Sequence, residues 1–138
     1  MVHALQEAWR VLVPRGLLID LRPIAFDVPL EVVTPGGCES AGPVDMSPQV
    51  KYDLTADHAL QVVLHAAPLT KLQVEYFDSA YYWNALPEMI AYIDDKWQDD
   101  LIIPEAVLGQ AQLLFDRHPD QSRLRLRFRM KLAKFEKQ

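Results

Sequence analysis

Cys38 is the single cysteine among 138 residues. That excludes an internal disulfide and any cysteine-rich zinc site. Long hydrophobic runs are also missing. No stretch approaches the roughly 18 consecutive apolar residues that a membrane-spanning helix requires, so no membrane partner is expected. The N-terminal apolar residues are spaced as on an amphipathic helix and lack the continuous core of a signal peptide; a cytoplasmic location is the expectation. Glycine is scarce, five residues in all, and Gly-x-Gly occurs nowhere, which leaves no Gly-rich cofactor turn. Positive charge is in deficit, with 14 Lys and Arg against 19 Asp and Glu and a net charge of -5. This balance argues against nucleic acid as a bulk partner. A Gly-x-Ser-x-Gly nucleophile turn is absent as well.

What is present is the composition of an ordinary globular protein, 50% hydrophobic and 24% charged. It predicts one domain over residues 1–138 with one core. Leu5, Ala8, Trp9 and Leu12 recur at spacings of three and four, which predicts a helix over 3–13, and Pro14-Arg15-Gly16 breaks it. Gly16 suits a backbone conformation closed to residues with a Cβ. Leu17 to Leu21 follow as a near-continuous apolar run, the pattern of a strand buried on both faces of a parallel sheet. Residues 29–34 read as a second strand. Pro35-Gly36-Gly37 reads as a turn, with a weaker return strand over 41–46. Residues 35–48 are the stretch expected to be most mobile.

A helix is predicted from Thr55 or Ala56, capped by Asp53 or Thr55, with Ala59, Leu60, Val63 and Leu64 as its apolar stripe. Residues 71–82 read as a strand. Two helices follow, one from Leu86 to Asp95 with Asn84 as its cap and one starting at Pro104. The last strand is the most regular element. Leu124, Leu126, Phe128, Met130 and Leu132 alternate with Arg123, Arg125, Arg127, Arg129 and Lys131, giving one apolar face and one basic face.

The segment from Glu7 to Asp20, Glu-Ala-Trp-Arg-Val-Leu-Val-Pro-Arg-Gly-Leu-Leu-Ile-Asp, resembles class I S-adenosylmethionine-dependent methyltransferases. It is similar to their passage in which a helix ends in a pattern of the type E-A-x-R-V-L-x-P-G-G and enters the fifth strand. The resemblance implies that residues 57–66, 71–82 and 123–134 supply the next helix, the sixth strand and an antiparallel seventh strand inside the sheet. Arg15 departs from the pattern, standing where the family usually has the first glycine of its pair, at a possible cost in backbone strain. The family's Gly-rich turn and the acidic residue of its cofactor site lie upstream of the matched segment, and six residues precede Glu7. The expectation is a chain that does not by itself hold S-adenosylmethionine.

Candidate functional residues are few. Asp20 and Arg22 stand at the C-terminal end of the presumed parallel strand, where open α/β sheets bind ligands; a local ion pair is the plainer reading. Tyr76, Tyr81 and Trp83 could wall a pocket for a flat or apolar ligand, or serve as core. His58 and His65 lie seven apart on one helix, too far for one metal ion, so no metal is expected. Cys38 lies in a loop beside Glu39 with no flanking cation to stabilise a thiolate. The basic face of the last strand is expected to be solvated or paired, with Asp94, Asp95, Asp99 and Asp100 as available partners. No aromatic residue interleaves on it to stack a base.

The expected fold is an α/β (α+β-like) partial Rossmann-type half, a small mixed sheet with helices mainly on one face. Its apolar edge at Leu17 to Leu21 would be liable to pair, and a two-fold homodimer would bury it. Three functions fit. The first is a non-catalytic, dimeric interaction module with no cofactor of its own. The second is a fragment or subunit of an active methyltransferase, completed by a cofactor-binding partner or by upstream sequence. The third is a small-ligand binder using the aromatic residues.

Overall fold

The structure is a computed structural model that describes all residues from Met1 to Gln138. Its elements run α1 (Val2–Val11), β1 (Leu17–Pro23), β2 (Pro29–Thr34), β3 (Gly37–Pro43), α2 (Ser47–Ala66), β4 (Leu69–Trp83), α3 (Leu86–Lys96), α4 (Glu105–Phe115) and β5 (Arg123–Lys137). The α/β class is as expected. The sheet corrects the expectation in one respect: its five strands are antiparallel rather than mixed. β5 pairs with β1, β2 and β4, and β2 also pairs with β3. β1 is therefore not a parallel strand covered on both faces. Leu17, Ile19 and Leu21 are exposed, while Leu18, Asp20 and Arg22 are half-buried. A five-residue apolar run does not encode the direction of its partner; the long-range pairing with β5 sets that.

The chain divides into two compact units. The first comprises Met1–Ile24, Val50–Phe77 and Met130–Gln138, and the second Ala25–Gln49 and Asp78–Arg129.

In the first unit β1 pairs with the C-terminal half of β5, from Leu17 opposite Glu136 to Pro23 opposite Met130. Leu60, Ala133 and Phe135 are buried together, with Leu5, Leu18, Leu64, Leu69 and Val74 packed against them. α1 ends where Pro14 forbids continuation, and its last carbonyls need donors. Lys137 provides them. Its Nζ donates to the carbonyls of Trp9 at 2.9 Å and Leu12 at 2.6 Å, and lies 4.4 Å from the centre of the Trp9 ring. Arg15 adopts the positive φ of 65° expected to be costly. Its N–H donates to the Lys137 carbonyl at 2.7 Å, so pairing with the chain's end holds the turn. Gly16 is required for space. A Cβ there would lie 2.8 Å from the Val13 carbonyl oxygen and 3.1 Å from Leu12.

In the second unit β2 and β3 form a hairpin closed by Pro35 and Gly36, with Thr34 opposite Gly37. The return strand thus starts earlier than predicted, and half of the stretch expected to be mobile, Gly37–Pro43, is hydrogen-bonded strand. β2 also pairs with β5, Leu30 opposite Leu126 through Val33 opposite Arg123. α4 packs on β2 and β3. Gly42 (φ 136°) makes that approach feasible, because a Cβ would meet Val107 at 2.8 Å. Leu30, Met89, Leu124 and Leu126 are fully buried in this unit. α2 begins at Ser47, eight residues before the predicted Thr55. Asp45 Oδ1 accepts the Ser47 N–H at 2.9 Å, and Pro48 suits a first turn. At α3 the expected cap is reversed: the Glu88 carboxylate reaches back and accepts the Asn84 backbone N–H at 3.1 Å.

Candidate functional site

β1 carries two opposite faces. On the inner one Asp20 and Arg22 are neighbours, as the spacing predicts, but their partners come from α2. Arg22 Nε donates to Asp20 at 3.1 Å, Nη1 to the Asp53 carbonyl at 3.2 Å, and Nη2 to the Asp57 carboxylate. Lys131 Nζ adds a contact to Asp57 at 3.5 Å. Every nitrogen of the guanidinium is engaged within the chain. This geometry favours a strut between strand and helix over a substrate contact.

The charges of this strut shift one another. Burial pushes the Asp57 carboxyl up, but Arg22 and then Lys131 outweigh it and hold the group below its ordinary value. Burial likewise works against the charge on Arg22, and Asp57 and Asp20 hold its pKa above the usual one. Asp57 therefore adds stability that is complete above its unfolded-state pKa of about 3.9 and is lost as the pH falls through the lower folded value. Thermal midpoints are expected to fall between about pH 5 and pH 2, and Asp57→Asn should make that slope shallower. An unchanged slope would remove the strut from the account of acid stability.

The outer face of β1 is apolar and uncovered. Leu17, Ile19 and Leu21 are 44%, 57% and 53% exposed. Directly opposed residues of an antiparallel ladder share a face, so Met130 opposite Pro23 and Leu132 opposite Leu21 extend the patch onto β5. β1 ends the sheet's strand order, pairing with β5 alone. Its second edge thus carries main-chain donors and acceptors beside an apolar face. This is the edge expected from the sequence.

The aromatic candidates separate. Tyr76, in the first unit, is half exposed. Tyr81 and Trp83, in the second, pack with residues that sequence reasoning had not linked to them. Trp97 meets Tyr81 edge-on at 4.7 Å and Tyr92 at 5.0 Å, and Trp83 lies 5.6 Å from Tyr92. Phe128 closes the group, 5.6 Å from Trp97. Trp83 is only 6% exposed. Trp83 and Phe128 are buried within the group, which is the core reading, whereas Tyr81 is 44% exposed.

The basic stripe is ion-paired within the chain at Arg125, Arg127, Arg129 and Lys131, but not by the aspartates near α3. Glu31, 4% exposed, is clasped by Arg125 Nε at 2.5 Å and by Arg127 Nη2 at 3.0 Å. Asp78 takes Arg127 at 3.1 Å and Arg129 at 3.2 Å, and their hydrogen bonds hold its carboxyl below the ordinary value. An aromatic residue does reach this face: the Arg123 guanidinium lies 4.5 Å from the Tyr82 ring centre.

Cys38 is also corrected. It lies on β3, and Arg125 Nη2 approaches its sulfur at 3.4 Å, a cation invisible in the local sequence. Cys38, Glu39, Arg117 and His118 line a cavity of about 390 Å³, with Arg117 paired to Glu39 at 3.0 Å. The hydrogen bond to Cys38 comes from arginine, a donor and not a base. His65 Nδ1 contacts the Gln61 carbonyl of its own helix at 2.8 Å. No three His, Cys, Asp or Glu side chains gather as a metal site, and no helix is long and apolar enough to cross a membrane. Comparison with known proteins finds no matching family model, no matching curated protein and no matching solved structure.

Proposed function

We propose that this chain is a methyltransferase-like half-domain acting as a non-catalytic, homodimeric interaction module, with β1 as its seam. The observation that carries the proposal is the terminal place of β1 in the sheet order, together with the exposure of Leu17, Ile19 and Leu21. Exposed edges with apolar faces invite pairing. A second copy is the occupant whose chemistry fits best. Pairing β1 antiparallel with itself, centred on Ile19, sets Ile19 against Ile19 and Leu17 against Leu21 of the other copy. All three residues then become apolar cross-strand pairs on one face, and the contact closes on itself as a two-fold requires. Pro23, which has no N–H to donate, falls outside that ladder.

One further point supports the methyltransferase part of this reading. The last strand, β5, pairs with both β1 and β4, the interior place that the resemblance implies for it.

Light scattering at micromolar concentration should give twice the 15.8 kDa chain mass. Ile19→Lys places a charge at the centre of the seam and should return a folded 15.8 kDa monomer, its fold checked by circular dichroism. A wild-type monomer would sink the dimer. Micromolar binding of S-adenosylmethionine by the isolated chain would instead overturn the non-catalytic reading.

A further inference from the structure

A second surface, independent of β1, points to a ligand. In the second unit Arg123, Arg125, Arg127 and Arg129 occupy alternate positions of β5, opposite in phase to the buried Leu124, Leu126 and Phe128. Three of these four guanidiniums, those of Arg125, Arg127 and Arg129, meet two carboxylates, Glu31 and Asp78, and that of Arg123 meets neither. The balance is positive, in a chain that is negative overall.

The excess is localised. Glu31 accepts Arg125 through Nε, so the inner edge of that guanidinium is held. Its outer nitrogens have only weak partners. Nη1 reaches the Tyr82 hydroxyl at 3.5 Å and Nη2 the Cys38 sulfur at 3.4 Å. A phenol oxygen at that distance and a thiol are poor acceptors for a charged donor. The Arg123 guanidinium lies over the same ring, 4.5 Å from its centre, with Arg125 at 6.0 Å. Two like charges thus converge beside Tyr82, and neither outer edge has a carboxylate.

We propose that Arg123 and the outer edge of Arg125, beside Tyr82, form a binding site for the phosphate group of a small phosphate monoester. A dianion matches two converging cations, and the planar Nη1–Nη2 fork suits two phosphate oxygens at once. The Glu31 clasp fixes the fork in advance, which reduces the ordering needed on binding. The Tyr82 hydroxyl and the Cys38 thiol can each turn a proton toward the same oxygens. A nucleic-acid strand fits less well. Each of its phosphodiesters carries one charge, and Arg123 covers a face of Tyr82 on which a base would stack.

The test is calorimetric titration of the full chain at low salt with glycerol 3-phosphate, inorganic phosphate and a short single-stranded oligonucleotide. Glycerol 3-phosphate should bind saturably and weaken with added salt. Inorganic phosphate should bind too; equal affinity would show that the site reads the phosphate alone, and weaker affinity that it also holds the organic part. Arg123→Gln should weaken binding about tenfold without moving the thermal midpoint. Arg129→Gln, which removes the same charge from the Asp78 end of the stripe, should change it by less than about twofold. Absence of saturable binding by either phosphate probe would overturn the proposal. So would equal losses in the two variants, which would mean a diffuse charge effect, or tighter binding of the oligonucleotide than of the monoester.

Discussion

Phe135→Ala is expected to destabilise the folded chain by about 3–5 kcal/mol, the range for removing a buried aromatic side chain. Phe135 is 1% exposed and is the largest fully buried side chain of the molecule. It has little company. The fully or nearly fully buried apolar residues of the first unit are otherwise Ala59, Leu60, Val63 and Ala133, two of them alanines. The site cannot close over the loss easily, because Phe135 lies on a strand held in register by Leu18 opposite it. Urea unfolding would show a lower midpoint. Leu132→Ala, on the half-exposed face of the same strand, should lose less than about 1 kcal/mol. Similar losses at both positions would contradict the placement of this core.

The second large effect is expected at Glu31. Glu31→Ala removes the one acceptor that both Arg125 and Arg127 share, and hydrogen bonds between charged groups are each worth about 1.5–3 kcal/mol. The loss falls short of their sum, because the side chain of Arg127 is 41% exposed and regains water when released. An overall destabilisation of about 2–4 kcal/mol follows. Glu31→Gln should lose less, since its amide oxygen still accepts from one guanidinium. In a double-mutant cycle, Arg125→Ala should cost less in the Glu31→Ala background than in the wild type. Strict additivity would mean that the carboxylate and the guanidinium do not act as a pair.

The regular elements were legible because their periods are local. The two-residue alternation from Arg123 to Leu132 predicted β5, and the spacing of Leu5, Ala8, Trp9 and Leu12 predicted α1. The alternation held a further clue that went unread. After Leu132 the buried positions change from even to odd, with Ala133 and Phe135 at 1%. The alternation of apolar and basic residues stops at Leu132, one residue short of that change, although the expected strand ran to 134. The early part of α2 was missed because Val50, Tyr52 and Leu54 do not form an inward stripe: Val50 is 42% and Leu54 66% exposed. Its start is set by Asp45, two residues outside the helix.

The candidate site divides along the same line. From the residues alone came the apolar run at Leu17 to Leu21, the nearness of Asp20 to Arg22, the basic face of the last strand and the absence of a Gly-rich turn. Each depends on neighbours in sequence, within reach of one strand or one turn. The tertiary structure alone decided that β1 runs antiparallel to β5, that Arg22 braces Asp57 and that Glu31 sits between Arg125 and Arg127. It also decided that Arg125 meets Cys38, 87 positions away. Those partners lie tens of residues apart in the chain. Local periodicity states which face a side chain occupies, and only the pairing of strands and the packing of helices determine what it faces.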